Sequence, residues 1–262
     1  MGGSDRALVT GAAAGLGLAI ARRLTAAGWH VVAVDRDRDG LDRLRDEAGG
    51  RVSTVVADLA DVAALEDLGG DLAGRGPYRR IVMNAGINAT GEFASIPVHR
   101  QQTIVAVNLT APMVLTASLL RNRAVASGCC MIFVSSLSRY IGYPGAAAYA
   151  ATKEGLAIFA RSLRRPLAGR RIKVLTVCPG PIDTDHAAQH APPGAAAAAR
   201  LSPDIAAGRL LAAARHPAIA GLLLGGNVIV PGWSSKTAAL AGRIFPSLAT
   251  RLMRRIIFEK LQ

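Results

Sequence analysis

The stretch Ala7-Leu8-Val9-Thr10-Gly11-Ala12-Ala13-Ala14-Gly15-Leu16-Gly17 decides the fold. Residues suited to a buried strand run straight into three closely spaced glycines, and a helical pattern opens at Leu16. Glycine serves where the chain turns sharply and where backbone must approach another group with no Cβ between them. A helix that begins after such a turn presents free N–H groups and a positive dipole end, which together hold phosphate. With a strand before it and a helix after it, the loop reads as a dinucleotide phosphate loop rather than a flexible Gly/Ala turn. Gly11, Ala14, Gly15 and Leu16 are its contact residues.

The same alternation continues along the chain. Strands are expected at 7–10, 31–34, 52–56, 81–83, 131–134, 174–177 and 228–230. Helices are expected at 16–27, 41–47, 62–72, 97–123, 147–167 and 203–215. Continuous apolar strands suit a parallel sheet covered on both faces. The expectation is an α/β, Rossmann-type doubly wound parallel seven-stranded sheet, one domain over residues 1–235 with a C-terminal helical extension over 236–262. Ala187 to Arg200, rich in Ala, Pro, Gly and His, reads as a mobile loop or short lid beside the strand ends.

Composition narrows the function classes. The chain has 262 residues, 51% hydrophobic and 19% charged, enough to bury one substantial core. No stretch approaches the roughly 20 uninterrupted apolar residues of a spanning helix. The first residues lack a secretory signal pattern, so a cytoplasmic location is expected. Cys129, Cys130 and Cys178 offer neither disulfide nor metal spacing and read as buried apolar residues. The net charge of +13 comes almost wholly from Arg in an Ala-rich chain, with Lys only at 153, 173, 236 and 260. It resembles genomic bias more than a binding surface, and nucleic-acid motifs are absent.

Two sites carry chemistry. Asp35 ends the second expected strand, where a carboxylate accepts hydrogen bonds from a ribose diol and repels a 2′-phosphate. It favours NAD over NADP, although the neighbouring Arg36 could bind a phosphate by swinging inward. Asp58, at the next strand end, reads either as a cofactor contact or as a helix cap before Val62. Tyr149 and Lys153 lie at i and i+4 of a helix and share one face. A tyrosine of ordinary pKa, about 10, is a poor base near neutrality, and an adjacent ammonium favours its phenolate. Ser136, at a strand end, can donate to a substrate oxygen.

Together these residues make the chain resemble the short-chain dehydrogenase/reductase family, over residue 6 to about 232. The resemblance rests on the glycine loop, Asn84-Ala85-Gly86, Asn108, Ser136, Tyr149-x-x-x-Lys153 and Pro179-Gly180-Pro181-Ile182-Asp183-Thr184, in family order. Ser136 precedes Tyr149 by the family's usual thirteen residues. It implies Tyr149 as acid/base, Ser136 as substrate orienter and Lys153 as modulator and ribose ligand. Asn108 would interrupt a helix and hold a water linking Lys153 to bulk. Asn84, with Ala85, would hold the sheet beside the cofactor, Asp58 and Leu59 would flank the adenine, and Ile182 and Thr184 would contact the carboxamide. His186 and His190 read as solvent-facing or substrate-contacting. Assembly as a homodimer or homotetramer follows from the same resemblance.

The chain departs from many family members after Gly225-Gly226. Beyond Pro246, Leu248, Leu252 and Ile256 form one line of a basic amphipathic helix. It could lie on an anionic membrane, cover the site mouth or join subunits. It loosely resembles extensions in members acting on lipophilic substrates. The expected activity is an NAD(H)-dependent interconversion of an apolar secondary alcohol and its ketone. Reduction of 3-oxoacyl groups on an acyl-carrier protein, and a non-catalytic dinucleotide-binding scaffold, are the alternatives.

Overall fold

The computed structural model describes residues 5–140, 145–184, 200–215, 228–229, 244 and 251. Seven strands form one parallel sheet in the order β3-β2-β1-β4-β5-β6-β7. They are β1 (Arg6–Thr10), β2 (His30–Asp35), β3 (Val52–Val56), β4 (Tyr78–Met83), β5 (Val125–Val134), β6 (Lys173–Val177) and β7 (Val228–Ile229). The sequence winds outward from β1 to β3 on one side and from β4 to β7 on the other. The crevice at the carboxyl ends of β1 and β4 is therefore the topological switch point, where open α/β sheets bind ligands.

Alternating side chains of each strand feed two cores. Ala7 and Val9 of β1 join Val31 and Ala33 of β2 beneath α1 (Gly15–Ala26) and α2 (Arg38–Glu47). Leu8, Val32 and Val34 point the other way, into the core built with α3 (Leu65–Gly74). The same core receives Leu115 and Leu119 from Ala111–Arg121 and Leu156 and Ala160 from Ala147–Ala168. Leu210 of Pro203–Arg215 closes the first core. All three cysteines are buried, as their apolar surroundings suggested.

Several boundaries move, each for a local reason. Helix α2 starts at Arg38 rather than Leu41 because the Asp37 carboxylate accepts from Gly40 N at 3.1 Å. Helix α3 starts at Leu65 rather than Val62. Val62 is exposed, and Asp61 accepts from Ala64 N at 3.2 Å. Asp58 thus caps no helix; it accepts from Ala60 N at 2.9 Å within its own turn. The expected single helix over 97–123 is α4 (Val98–Val105) and α5 (Ala111–Arg121), joined by one π-helical turn at Ala106–Thr110.

By length and mean hydropathy this run could match a membrane span, although polar residues interrupt it throughout, and 56% of its window is buried inside the fold. It is a core helix. Val230, Gly225-Gly226, His186, His190, the 187–199 segment and nearly all of the 236–262 extension lie outside the described residues. Within that extension only Ile244 and Arg251 are described, both helical and exposed.

Candidate active site

The glycine loop is shaped by close packing. Gly11 has φ +68, and a Cβ there would come within 2.9 Å of Ala85 Cα. A Cβ on Gly17 would lie 1.8 Å from Gly11 O, so the first turn of α1 folds directly onto the loop. Gly11 N donates to Val34 O at 2.8 Å. Asn84 fastens the other side: its Nδ2 donates to Thr10 O and Gly11 O at 3.0 and 3.2 Å. The N–H groups of Asn84 and Ala85 in turn donate to Thr10 Oγ1. Asn84 and Ala85 are thus part of the loop's scaffold.

The N-terminus of α1 is left open to an anion. Ala14 makes no side-chain cap and the first turn carries no acidic residue. The residues present fit the phosphates of a dinucleotide, because the leading N–H groups of Gly15, Leu16 and Gly17 need partners that the helix itself does not supply.

Asp35 does more than the sequence suggested. Its Oδ2 accepts from Ala13 N at 3.0 Å and its Oδ1 from Asp37 N at 3.1 Å. The carboxylate therefore holds the loop, and each oxygen keeps lone-pair capacity for a ribose hydroxyl. Arg36 is exposed beside it. Asp58 is exposed at the same edge of the sheet, but Leu59 turns into the core at 7% exposure, leaving only its backbone to flank a base. Thr184 lies against the glycine loop: a Cβ on Gly15 would come 3.0 Å from its methyl group. Ile182 pairs with Leu201 in a parallel bridge.

The residues that the sequence reading assigned to proton transfer lie on one helix and just past the end of β5. α6 (Ala147–Ala168) carries both Tyr149 and Lys153. Lys153 is 3% exposed, its Nζ donates to Val134 O at 3.0 Å, and Nζ stands 5.7 Å from the centre of the Tyr149 ring. Burial pulls the lysine down to about 8, with Cys178 opposing. Ser135 Oγ donates to Lys153 O at 2.8 Å, tying the strand end to the helix. Ser136 lies in the next position, half-buried, its Oγ accepting from Ser138 N at 3.2 Å.

The sequence reading quoted Gly86 only within its motif and did not name Thr152, and both contribute to the site. Gly86 leaves room for the lysine, since a Cβ there would lie 2.9 Å from Lys153 Nζ. Thr152 joins the helices: its hydroxyl donates to Tyr149 O at 2.8 Å and accepts from Asn108 Nδ2 at 3.1 Å. Asn108, fully buried in the π turn, also clamps the backbone of Ile87, accepting from its N–H at 2.8 Å and donating to its carbonyl at 2.9 Å. The π turn carries the Asn108 side chain that makes this clamp. Among the described residues no group of His, Cys, Asp and Glu is placed to hold a metal.

Comparison with known proteins bears on the family and the fold. The family model described as short chain dehydrogenase matches residues 5–193. A relative named 1-deoxy-11-beta-hydroxypentalenate dehydrogenase, from Streptomyces avermitilis, is 36% identical over 186 residues, covering 68% of each chain. Among solved structures, a 3-oxoacyl-[acyl-carrier protein] reductase from Brucella melitensis in complex with NAD is 27% identical, with TM-score 0.74. It covers 93% of this chain and 99% of its own. A putative NAD(P)-dependent gluconate 5-dehydrogenase from Beutenbergia cavernae with bound NADP is 28% identical, with TM-score 0.72, covering 86% and 94%.

Proposed function

This chain belongs to the short-chain dehydrogenase/reductase family, and on that premise we propose that it interconverts an apolar secondary alcohol and its ketone with NAD(H). The observation that carries the reading is the buried Lys153 ammonium 5.7 Å from the centre of the Tyr149 ring, in a fold whose first helix also opens without a side-chain cap. When bound, the nicotinamide ring supplies hydride transfer. In the oxidative direction Tyr149, as phenolate, takes the hydroxyl proton. The Lys153 charge favours that phenolate. Ser136 holds the substrate oxygen by hydrogen bonding, and Asn108 keeps Ile87 and Thr152 in register around it. A screen of alcohols and ketones read at the reduced-cofactor absorbance tests the reading. Turnover confined to carboxylated or phosphorylated substrates would sink the apolar assignment.

The preference for NAD rests on Asp35. Replacing it with Ser is expected to move the NAD/NADP ratio of kcat/KM toward NADP by about 10- to 100-fold, as removal of one carboxylate facing a 2′-phosphate implies. An unchanged ratio would remove Asp35 from specificity. Since Asp35 also holds Ala13 N, some loss with NAD is expected as well.

A second reading, reduction of 3-oxoacyl groups on an acyl-carrier protein, draws support from the likeness to a 3-oxoacyl reductase. Activity on 3-oxoacyl thioesters exceeding that on simple ketones would favour it. We place the protein in the cytoplasm as a homodimer or homotetramer. Val105, Met113 and Ile158, on α4, α5 and α6, are 42%, 41% and 38% exposed and offer apolar surface for a second copy. Light scattering behind size exclusion is expected to give at least twice the 27.1 kDa chain mass, and a monomer would refute the assembly.

A further inference from the structure

The segment after β5 carries Ser136 and then winds through a short 3-10 turn, Leu137–Arg139. Within that turn Ser136 Oγ accepts from Ser138 N, and Arg139 N donates to Ser136 O at 3.3 Å, so the direction of the Ser136 hydroxyl follows the turn. Arg139 ends the turn and reaches α6. Its Nε donates to Glu154 Oε2 at 2.7 Å and its Nη2 to Oε1 at 3.3 Å, a forked pair. Glu154 directly follows Lys153 and stands five residues beyond Tyr149. The guanidinium side chain is 12% exposed, lies 4.8 Å from the Tyr140 ring and is within reach of the Cys178 thiol. The cation is thus held from several directions.

We propose that the Arg139–Glu154 pair is a positioning device that fixes the Ser136 turn against α6, setting where Ser136 meets an oxygen bound at Tyr149. The inference rests on the proposed role of Ser136 in turnover. Glu154 is 41% exposed, so the pair adds little to global stability. Its effect lies in direction, because a turn anchored to the helix bearing Tyr149 and Lys153 cannot shift without them. A displacement of about 1 Å is enough to cost turnover heavily.

The test combines a turnover-independent and a turnover-dependent measurement on the full chain with NADH bound. In Glu154→Ala, backbone amides of residues 136–140 are expected to exchange with deuterium about tenfold faster, while those of 147–168 stay within about twofold of the parent. Thermal midpoints are expected to be nearly equal. The kcat is expected to fall about tenfold at unchanged NADH affinity, whereas in a Ser136→Ala background the same change costs less than about twofold. Glu154→Gln, which keeps one acceptor, is expected to fall between the two. Unchanged exchange at 136–140, or equal kcat losses in both backgrounds, would overturn the proposal. If the parent protein turns over no ketone with either cofactor, the functional reading fails, and the exchange measurement still decides the positioning role.

Discussion

Tyr149→Phe protein is expected to bind NADH as tightly as the parent and to lose kcat by about 10³-fold, within the range set by removal of a positioned acid/base. The substitution removes one oxygen and leaves the ring above Lys153 in place. Thr152 still donates to the backbone carbonyl of residue 149 and Asn108 to Thr152, so the helix junction is untouched. The loss should therefore appear in kcat, with little change in thermal midpoint. Nicotinamide turnover that survives this change at the parental rate would remove Tyr149 from the chemistry. The fluorescence of bound NADH measures the binding half independently.

Lys153→Met has an opposite pair of effects, less turnover and more stability. The folded protein holds this lysine at about 8, below the ordinary lysine value of 10.5, because burial disfavours its charge. Between these values the unfolded chain binds more protons than the folded one, so stability rises with pH through that window. Below about pH 8 the cost of burying the cation is present in full, on the order of 3 kcal/mol. Met fills a similar volume without charge and gives up one hydrogen bond, that to Val134 O, worth about 1 kcal/mol. Without cofactor, Lys153→Met is expected to melt higher than the parent at pH 6.5, and the gap is expected to close toward pH 10.5. Turnover is expected to fall by about 10²-fold or more, since the phenolate loses its neighbouring charge. A variant that melts lower at pH 6.5, by the same margin at every pH, would contradict this account. Such a contrast is the mark of a functional group kept at a cost to stability.

How much of the site could be read in advance depends on the range over which its residues act. Tyr149 and Lys153 were legible as a pair because helical spacing alone puts i and i+4 on one face. Asp35 was legible as the carboxylate ending β2, but not as the acceptor for Ala13 N, a partner 22 residues away. Asp58 and Leu59 were read together, yet the turn after β3 sends the leucine to the core and leaves the aspartate outside. The pattern of 97–123 reads as one helix, and only the family resemblance implied a break at Asn108; nothing local announced that its amide would clamp Ile87, 21 residues earlier. Gly86 and Thr152 escaped notice as contributors because their roles consist of space and of a hydroxyl, both defined only by neighbours from other elements.

What the sequence by itself determined is therefore the part governed by backbone geometry and periodicity. It contains the order of strands and helices, the Gly11–Gly17 turn, and the residue types at each strand end. Those follow from steric rules that act within a few residues. The tertiary structure alone decided which groups meet: Lys153 Nζ with the carbonyl of Val134, Arg139 with Glu154, Thr184 with the loop at Gly15. Side-chain partnership across elements depends on sheet register and helix packing, which set distances of ångströms between residues far apart in the chain. The family's motifs are written locally in the sequence, and the fit of their parts is made by the fold.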